Sequence, residues 1–279
     1  PIVWWEMPRR RPPDAGETAC ALPGNLSAPQ VQVDCVREEL ARIGAVLSGL
    51  AGQPLDSDTL ARGIRKANQV RRLLAALRRA VYTSPGAPLP ALELLVAEML
   101  AIHFCSDREE TIGVLTDLLA EAEARLRHGQ FVVAKDAVRV FWVNPVADLR
   151  AMNLLEDWGG RVCGSDYMFT HALDLIPEDL PPLEALARTA LADPMVGSTL
   201  DRAHRIVADC RSGHAEAVVV SRIPGASHCA REGAIIRDLV RADLGIPTIE
   251  LEVPPISDAM LPTLASRLQA LLETARSRR

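Results

Sequence analysis

Three neighbouring polar or reactive residues, Ser227, His228 and Cys229, stand where a helix is expected to begin. They follow a short apolar run, Ala217 to Val220, and a loop that contains proline and glycine. The N-terminus of a helix presents unpaired N–H groups and partial positive charge, which favour the thiolate form of a cysteine. A thiolate binds metal or attacks an electrophile. Cys229 is therefore either a functional thiolate or, like most free cysteines, a small buried apolar residue.

Other chemistries find less support around this loop. A nucleophile and base made of Cys229 and His228 is disfavoured, because adjacent residues at a helix start rarely point at each other. Ser221 and Ser227 do not lie in a G-x-S-x-G motif, so a serine nucleophile is not indicated. The sequence also lacks the glycine-rich fingerprints of dinucleotide binding and of phosphate loops.

The elements that must position this loop form a β-α-β pattern. After the apolar run comes an amphipathic helix and then a second β-like run, Ile249 to Val253. Two earlier runs, Val138 to Val143 and Arg161 to Cys163, are also followed by helical patterns. We therefore expect an α/β fold with a four-stranded, parallel, doubly wound sheet of Rossmann-like or flavodoxin-like type, in strand order 2-1-3-4. Ligands of such sheets bind beyond the carboxyl ends of the strands.

The chain before this sheet reads differently. Ile2 to Trp5 resembles a strand, and a loop rich in proline and arginine follows. The next segment is helical, and Ser27 with Gln30 predicts a capping box at its start. Cys35 is expected in the core of that helical segment. The predicted domains are 1–26, the strand and loop remnant of a missing N-terminal domain, 27–130, a helical block, and 131–279, the α/β cluster- and substrate-binding domain.

Composition narrows the function classes. The 279 residues carry a formal net charge of -5 and are 48% hydrophobic, so no nucleic-acid footprint is evident. No apolar run reaches the roughly 18 residues needed to span a bilayer, which favours a cytoplasmic protein without membrane contact. The 6 cysteines form no C-x-x-C pair, so in a reducing compartment they are thiols or metal ligands.

Several segments in succession resemble one family. These are VFWVNPVADLRAMNLLEDWGGRVCGSD, DLPPLEALARTAL, DRAHRIV, AVVVSRIPGASHCAREGAIIRDLV and GIPTIELEVPPISDAM. From about Val33 to its end the chain resembles the C-terminal part of catalytic subunits in the 2-hydroxyacyl-CoA dehydratase and benzoyl-CoA reductase family. The RIPGASHC and AEMLAIHFCSD segments look closer to ATP-dependent benzoyl-CoA reductase.

The resemblance implies a [4Fe-4S] cluster held by cysteines from two α/β domains, of which Cys229 is the C-terminal one. Cys163 and Cys20 are the nearest substitutes by location for the cysteines of the absent domain, although neither falls on a family ligand position. The implied partners are an acyl-CoA substrate, a related catalytic subunit in a heterodimer, and ATP-dependent iron–sulfur activator subunits. Without the absent domain, this chain alone is expected to be inactive.

The function expected from the resemblance is reduction of an aromatic acyl-CoA ring to a cyclic diene, an oxidoreductase reaction. The alternatives are dehydration of an (R)-2-hydroxyacyl-CoA and a non-catalytic iron–sulfur or scaffold subunit. Ser227 and His228 are the candidate catalytic donors of hydrogen bonds or protons. The candidate substrate-binding residues are Arg222, which suits a CoA phosphate, Asn144 and Asp166.

Overall fold

The computed structural model describes residues 2–103, 107–146, 148–225 and 232–279. These residues form two compact units, Pro1–Arg72 with Asp174–Arg202, and Leu73–Leu173 with Ala203–Arg279. The predicted domain boundaries at residues 26 and 130 stay a prediction, because compact units need not coincide with domains. Among the described residues, no helix is both long and apolar enough to cross a bilayer.

The strands are β1 (Ala19–Leu22), β2 (Leu26–Pro29), β3 (Val138–Val143), β4 (Gly160–Asp166), β5 (Ala217–Arg222) and β6 (Thr248–Glu252). The α-helices are α1 (Gln30–Ala51), α2 (Ser57–Arg78), α3 (Ala91–His103), α4 (Arg108–Arg127), α5 (Arg150–Asp157), α6 (Pro182–Ala192), α7 (Thr199–Ser212), α8 (Gly233–Leu244) and α9 (Leu261–Arg276). A π-helical turn, Arg79–Thr83, continues α2, and 3-10 turns occupy Pro23–Asn25 and Met168–Leu173.

The first unit is built on an antiparallel hairpin of β1 and β2 that packs with α1 and α6. Its turn places Gly24 and Asn25 at positive φ, a conformation that glycine and asparagine adopt at low cost. The apolar side chains of the hairpin face a core that also receives residues of both helices. That core contains Cys20, Leu22, Ala28, Val33, Val36, Ala187, Leu191 and Ala192.

Three sequence predictions for this unit are wrong. Ile2 to Trp5 forms no strand. Ser27 does not cap a helix, because it pairs with Ala21 in the hairpin, and α1 begins only after Pro29. Cys35 is exposed on α1 rather than buried, since Val33 and Val36 occupy the buried face of that helix turn.

The second unit contains the predicted sheet. Its strand order is β4-β3-β5-β6 and every pairing is parallel, so the predicted order 2-1-3-4 is confirmed. The two central strands, β3 and β5, are valine-rich and buried, as expected when helices cover both faces of a sheet. α7 and α8 pack on one face, while α5 and α9 pack together and α9 contacts β3 and β5.

The helices on the sheet follow the apolar spacing of the sequence. α8 buries Ile236 and Val240, and α9 buries Leu264, Leu268 and Leu271, positions one turn apart. α8 ends at Gly245, whose φ of 67° is the left-handed conformation that commonly closes a helix. As the β-α-β pattern predicted, β5 precedes residues 226–231 and α8 follows them.

Candidate functional site

The carboxyl ends of β3 and β5 are joined by a buried network of uncharged groups. The indole N–H of Trp142 donates to Ser221 Oγ at 3.0 Å. Ser221 Oγ lies 2.8 Å from the carbonyl oxygen of Asn144, to which it can donate, and the Asn144 side-chain amide donates to the Ser221 carbonyl at 3.1 Å. All three side chains are fully buried. This network fixes the main chain where each strand ends.

Asn144 is the residue through which the third strand end joins this network. Its φ of 70° is left-handed, which asparagine tolerates better than most residues. This conformation follows directly after β3, and the Asn144 N–H donates to the Asp166 carbonyl at the end of β4 over 2.9 Å. The ends of β3, β4 and β5 are thereby held together through main-chain and side-chain bonds.

The loop after β3 is also tied to the loop after β6. The Asp148 carboxylate accepts the Ile256 N–H at 3.0 Å and pairs with Arg150 at 2.6 Å. Arg150 in turn donates to the Ile256 carbonyl at 2.7 Å. The hydrogen bond from Arg150 lowers the pKa of Asp148 well below its usual range, so this carboxylate is ionised at neutral pH.

The predicted site residues have different surroundings. Asn144 is fully buried and Asp166 is 3% exposed, so both belong to the interior of the strand ends. Arg222 is exposed at the end of β5 and lies 3.6 Å from Glu252, the last residue of β6. Ser227, His228 and Cys229 lie outside the described residues, in the segment that connects β5 to α8. The proposed roles of all six residues stay predictions.

Cys163 lies in a hydrophobic core. It is 3% exposed and packs with Cys210 of α7 and with apolar residues of β5 and α8. Burial raises the pKa of the Cys163 thiol to about 12, so the thiol is protonated at neutral pH. A cysteine binds metal as the thiolate. An environment that keeps the thiol protonated therefore argues against Cys163 as a cluster ligand.

Cys20, the other substitute suggested by location, is buried in the core of the first unit. Burial raises the pKa of its thiol as well. Within the described part of the chain, no group of three or more histidine, cysteine, aspartate or glutamate side chains is arranged to hold a metal ion. The described residues therefore do not supply a complete set of ligands for a [4Fe-4S] cluster.

Sequence reasoning missed a buried polar cluster in the second unit. Glu98 on α3 is fully buried and pairs with Arg78 at 2.7 Å, and the Arg78 guanidinium lies 5.1 Å from the centre of the Tyr82 ring. Burial raises the pKa of Glu98. The available signal was the position of Glu98 in the middle of the apolar helix α3, beyond the first turn that carries Glu93. The cluster includes the buried Ser165, whose side chain lies near the Tyr82 hydroxyl and which adjoins Asp166 at the end of β4.

A comparison with models of protein families assigns this chain to a family. The family model of 2-hydroxyglutaryl-CoA dehydratase, D-component, matches residues 18–275. The chain belongs to this family. No curated protein matches the chain. Membership in the 2-hydroxyacyl-CoA dehydratase family confirms the coarser half of the sequence resemblance, and closeness to benzoyl-CoA reductase stays a prediction.

The 2-hydroxyglutaryl-CoA dehydratase family supplies a catalytic component of dehydratase type, and its members are associated with iron–sulfur clusters. The match covers the hairpin, the helices and the whole parallel sheet. Since burial raises the pKa of the Cys20 and Cys163 thiols, a cluster of the family type would need thiolates from elsewhere. By chain position, Cys229 follows the strand end at which the buried network lies.

Proposed function

We propose that this chain is a subunit of a 2-hydroxyacyl-CoA dehydratase, which converts a 2-hydroxyacyl-CoA to the enoyl-CoA. In that reaction the C2–OH bond breaks, a proton leaves C3, and the two fragments depart as water. The family match over residues 18–275 is the observation that carries the proposal. The sheet adds a consistent frame, because ligands of parallel α/β sheets bind beyond the carboxyl strand ends.

The chain's own residues divide the work of this site. Arg222 is an exposed guanidinium at the end of β5, suited to a phosphate of the CoA moiety. Ser227 and His228 follow it in the same connecting segment and would donate hydrogen bonds or a proton to the acyl group. Asn144 and Asp166 would shape the floor of the substrate site, where they are already buried.

The proposal includes a [4Fe-4S] cluster, a related subunit and an ATP-dependent iron–sulfur activator, in the cytoplasm, where thiols stay reduced. Cys229 is our choice as this chain's thiolate ligand. Cys20 and Cys163 do not fit that role, so the remaining ligands must come from other residues or another chain.

Benzoyl-CoA reduction is the second candidate. Two segments favour it, RIPGASHC at residues 222–229 and AEMLAIHFCSD at residues 97–107, because they resemble the reductase subunits more closely. In that reaction two electrons and two protons add to the aromatic ring and give the cyclic diene. The electrons would come from the same ATP-driven activator.

The test uses the complete native protein, purified without oxygen together with its partner subunits. Turnover of a 2-hydroxyacyl-CoA with activator, ATP and reductant supports the proposal. Turnover of benzoyl-CoA under the same conditions, without turnover of the 2-hydroxyacyl-CoA, supports the second candidate. Absence of both activities in a complex that contains all subunits would favour a scaffold subunit and would refute the proposal.

Cysteine variants locate the chain's ligand. We expect Cys229→Ala to lose most of the bound iron and sulfide and the activity. Cys35→Ala is the matched control, because Cys35 is exposed on α1 and remote in sequence from the strand ends. Cys163→Ala should keep its iron, since that thiol is buried in the core. Iron retained in Cys229→Ala would exclude Cys229 as the ligand.

A further inference from the structure

A groove in the second unit lies at the amino end of β6, between the end of α8 and α9. It has a volume of about 580 Å³, within the range of small-molecule sites. Thr248, the first residue of β6, lines it, and β6 is an edge strand of the sheet. The groove is therefore at the opposite strand end from the proposed acyl-CoA site. Its lining residues are Arg241, Gly245, Ile246, Pro247, Thr248, Ile249, Arg267, Ala270, Leu271, Thr274 and Arg278.

Three arginines supply the charge of this groove, and no acidic residue lines it. Each guanidinium donates to a backbone carbonyl, Arg241 to Thr248 at 3.5 Å, Arg267 to Glu250 at 2.6 Å and Arg278 to Gly245 at 2.5 Å. These bonds orient the side chains but use few of the five N–H donors that each guanidinium carries.

The same three guanidiniums form no ion pair with any carboxylate of the described chain. The carboxylate of Glu250, whose carbonyl Arg267 contacts, is already paired with Arg237 at 2.6 Å. An oriented set of cationic donors without an anionic partner is the arrangement that recognises phosphate groups, because the planar guanidinium matches phosphate oxygens.

The rest of the groove wall is apolar and comes from Ile246, Pro247, Ile249, Ala270 and Leu271. Apolar surface beside cationic donors suits a ligand with a phosphate end and a less polar body. We propose that this groove binds the diphosphate group of a small phosphorylated molecule. The site is separate from the proposed dehydratase site and does not depend on that assignment.

The experiment is isothermal titration of the full chain with inorganic pyrophosphate in a low-salt chloride buffer. We expect one site per chain, and a dissociation constant that rises with added salt. Arg267→Gln and Arg278→Gln should each weaken binding about tenfold, as expected for loss of a charge-assisted phosphate contact.

The matched control is Arg276→Gln, which removes the same charge from α9 at a residue that does not line the groove. It should bind pyrophosphate within about twofold of the unchanged chain. Thermal unfolding of each variant checks that the fold persists. Equal weakening in Arg276→Gln would show a general charge effect and would refute the site.

Further ligands identify the source of the phosphate. ADP that binds more tightly than pyrophosphate would show that the apolar wall also contacts the ligand, and equal binding would limit the site to free diphosphate. Either result supports the proposal. Binding of adenosine without pyrophosphate binding, binding only of a hexaglutamate peptide, or no binding at all would overturn it.

Discussion

The two ends of the parallel sheet are held by different chemistry. At the carboxyl ends, Trp142, Asn144 and Ser221 form a buried network without a formal charge. At the amino ends, two strands carry an arginine as their second residue, Arg139 on β3 and Arg161 on β4. Both guanidiniums donate to backbone carbonyls, Arg139 to Gly213 at 2.7 Å and Arg161 to Ser84 at 2.7 Å.

This difference distinguishes groups that hold the strand ends in place from groups that are available to bind a ligand. The neutral network fixes the strand ends without adding a charge, whereas the ionisable groups at these ends include the buried Asp166 and the exposed Arg222. The amino ends use permanent charge to anchor distant backbone segments. The groove at β6 uses the same guanidinium-to-carbonyl contact, but its arginines keep donors for a ligand.

Arg161→Met should be the most damaging change to the amino ends. Arg161 is 1% exposed and donates to the carbonyls of Val81, Ser84 and Pro85 at 2.5, 2.7 and 3.1 Å. Methionine fills similar space but leaves these carbonyls without a donor, at a cost of about 4 kcal/mol in the free energy of unfolding. Urea unfolding measures the loss. A loss below about 1 kcal/mol would show that water replaces the guanidinium there.

Ser221→Ala tests the neutral network at the other end. The change leaves the buried Trp142 N–H without its acceptor and removes the donor to the Asn144 carbonyl. We expect a loss of about 2 to 3 kcal/mol in the free energy of unfolding, since both groups stay buried. Ser212→Ala on α7 is a matched control, because its exposed hydroxyl bonds only within the helix. A loss equal to the control would mean that the network does not hold the strand ends.

The features of the sheet that depend on local sequence pattern, its strands and their order, were predictable from the sequence. The valine-rich runs identified β3 and β5, and the β-α-β crossovers gave the strand order. The bonds themselves were not predictable. Arg161 reads as a surface charge, because its acceptors lie about eighty residues earlier in the chain. The hairpin was missed because its turn, Gly24–Asn25, interrupts a short stretch that also resembles a helix cap.

The candidate site was predictable only by position. The β-α-β pattern located the strand ends, and Cys229 was singled out both by its expected place at a helix start and by the family resemblance. Whether a cysteine faces a core depends on tertiary packing, so Cys163 could not be recognised as buried beside α7 and α8. The groove escaped notice because its arginines come from α8, from α9 and from the residues after α9, and only the fold brings them together.

The ionisation of Glu156 gives the amino ends a pH dependence that the neutral network lacks. Burial raises the pKa of Glu156 to about 7 from its ordinary 4.5. Between these two values the folded state holds a proton that the unfolded state has released, so stability falls as pH rises through this window. The expected loss is about 2 kcal/mol, after allowance for the partial exposure of this side chain.

Glu156→Gln should remove this component. The glutamine keeps an oxygen to accept the Ala91 N–H, which Glu156 accepts at 3.2 Å. The difference in unfolding free energy between the variant and the unchanged chain should therefore grow in favour of the variant between pH 4.5 and pH 7. A difference that stays constant over this range would show that Glu156 ionises normally in the folded protein.

Arg222→Ala should have the smallest effect on stability. It tests most directly whether an exposed charge at the carboxyl ends of the strands binds the substrate. Arg222 and Glu252 are exposed and 3.6 Å apart, so their pairing contributes less than about 0.5 kcal/mol to the free energy of unfolding. In the proposed role, however, the guanidinium contacts a CoA phosphate, and its loss should raise KM for the acyl-CoA about tenfold with kcat nearly unchanged. Glu252→Ala breaks the same pair but keeps the guanidinium, so KM should not rise. If KM rises equally in both variants, the ion pair orders the strand end, and Arg222 does not bind the substrate.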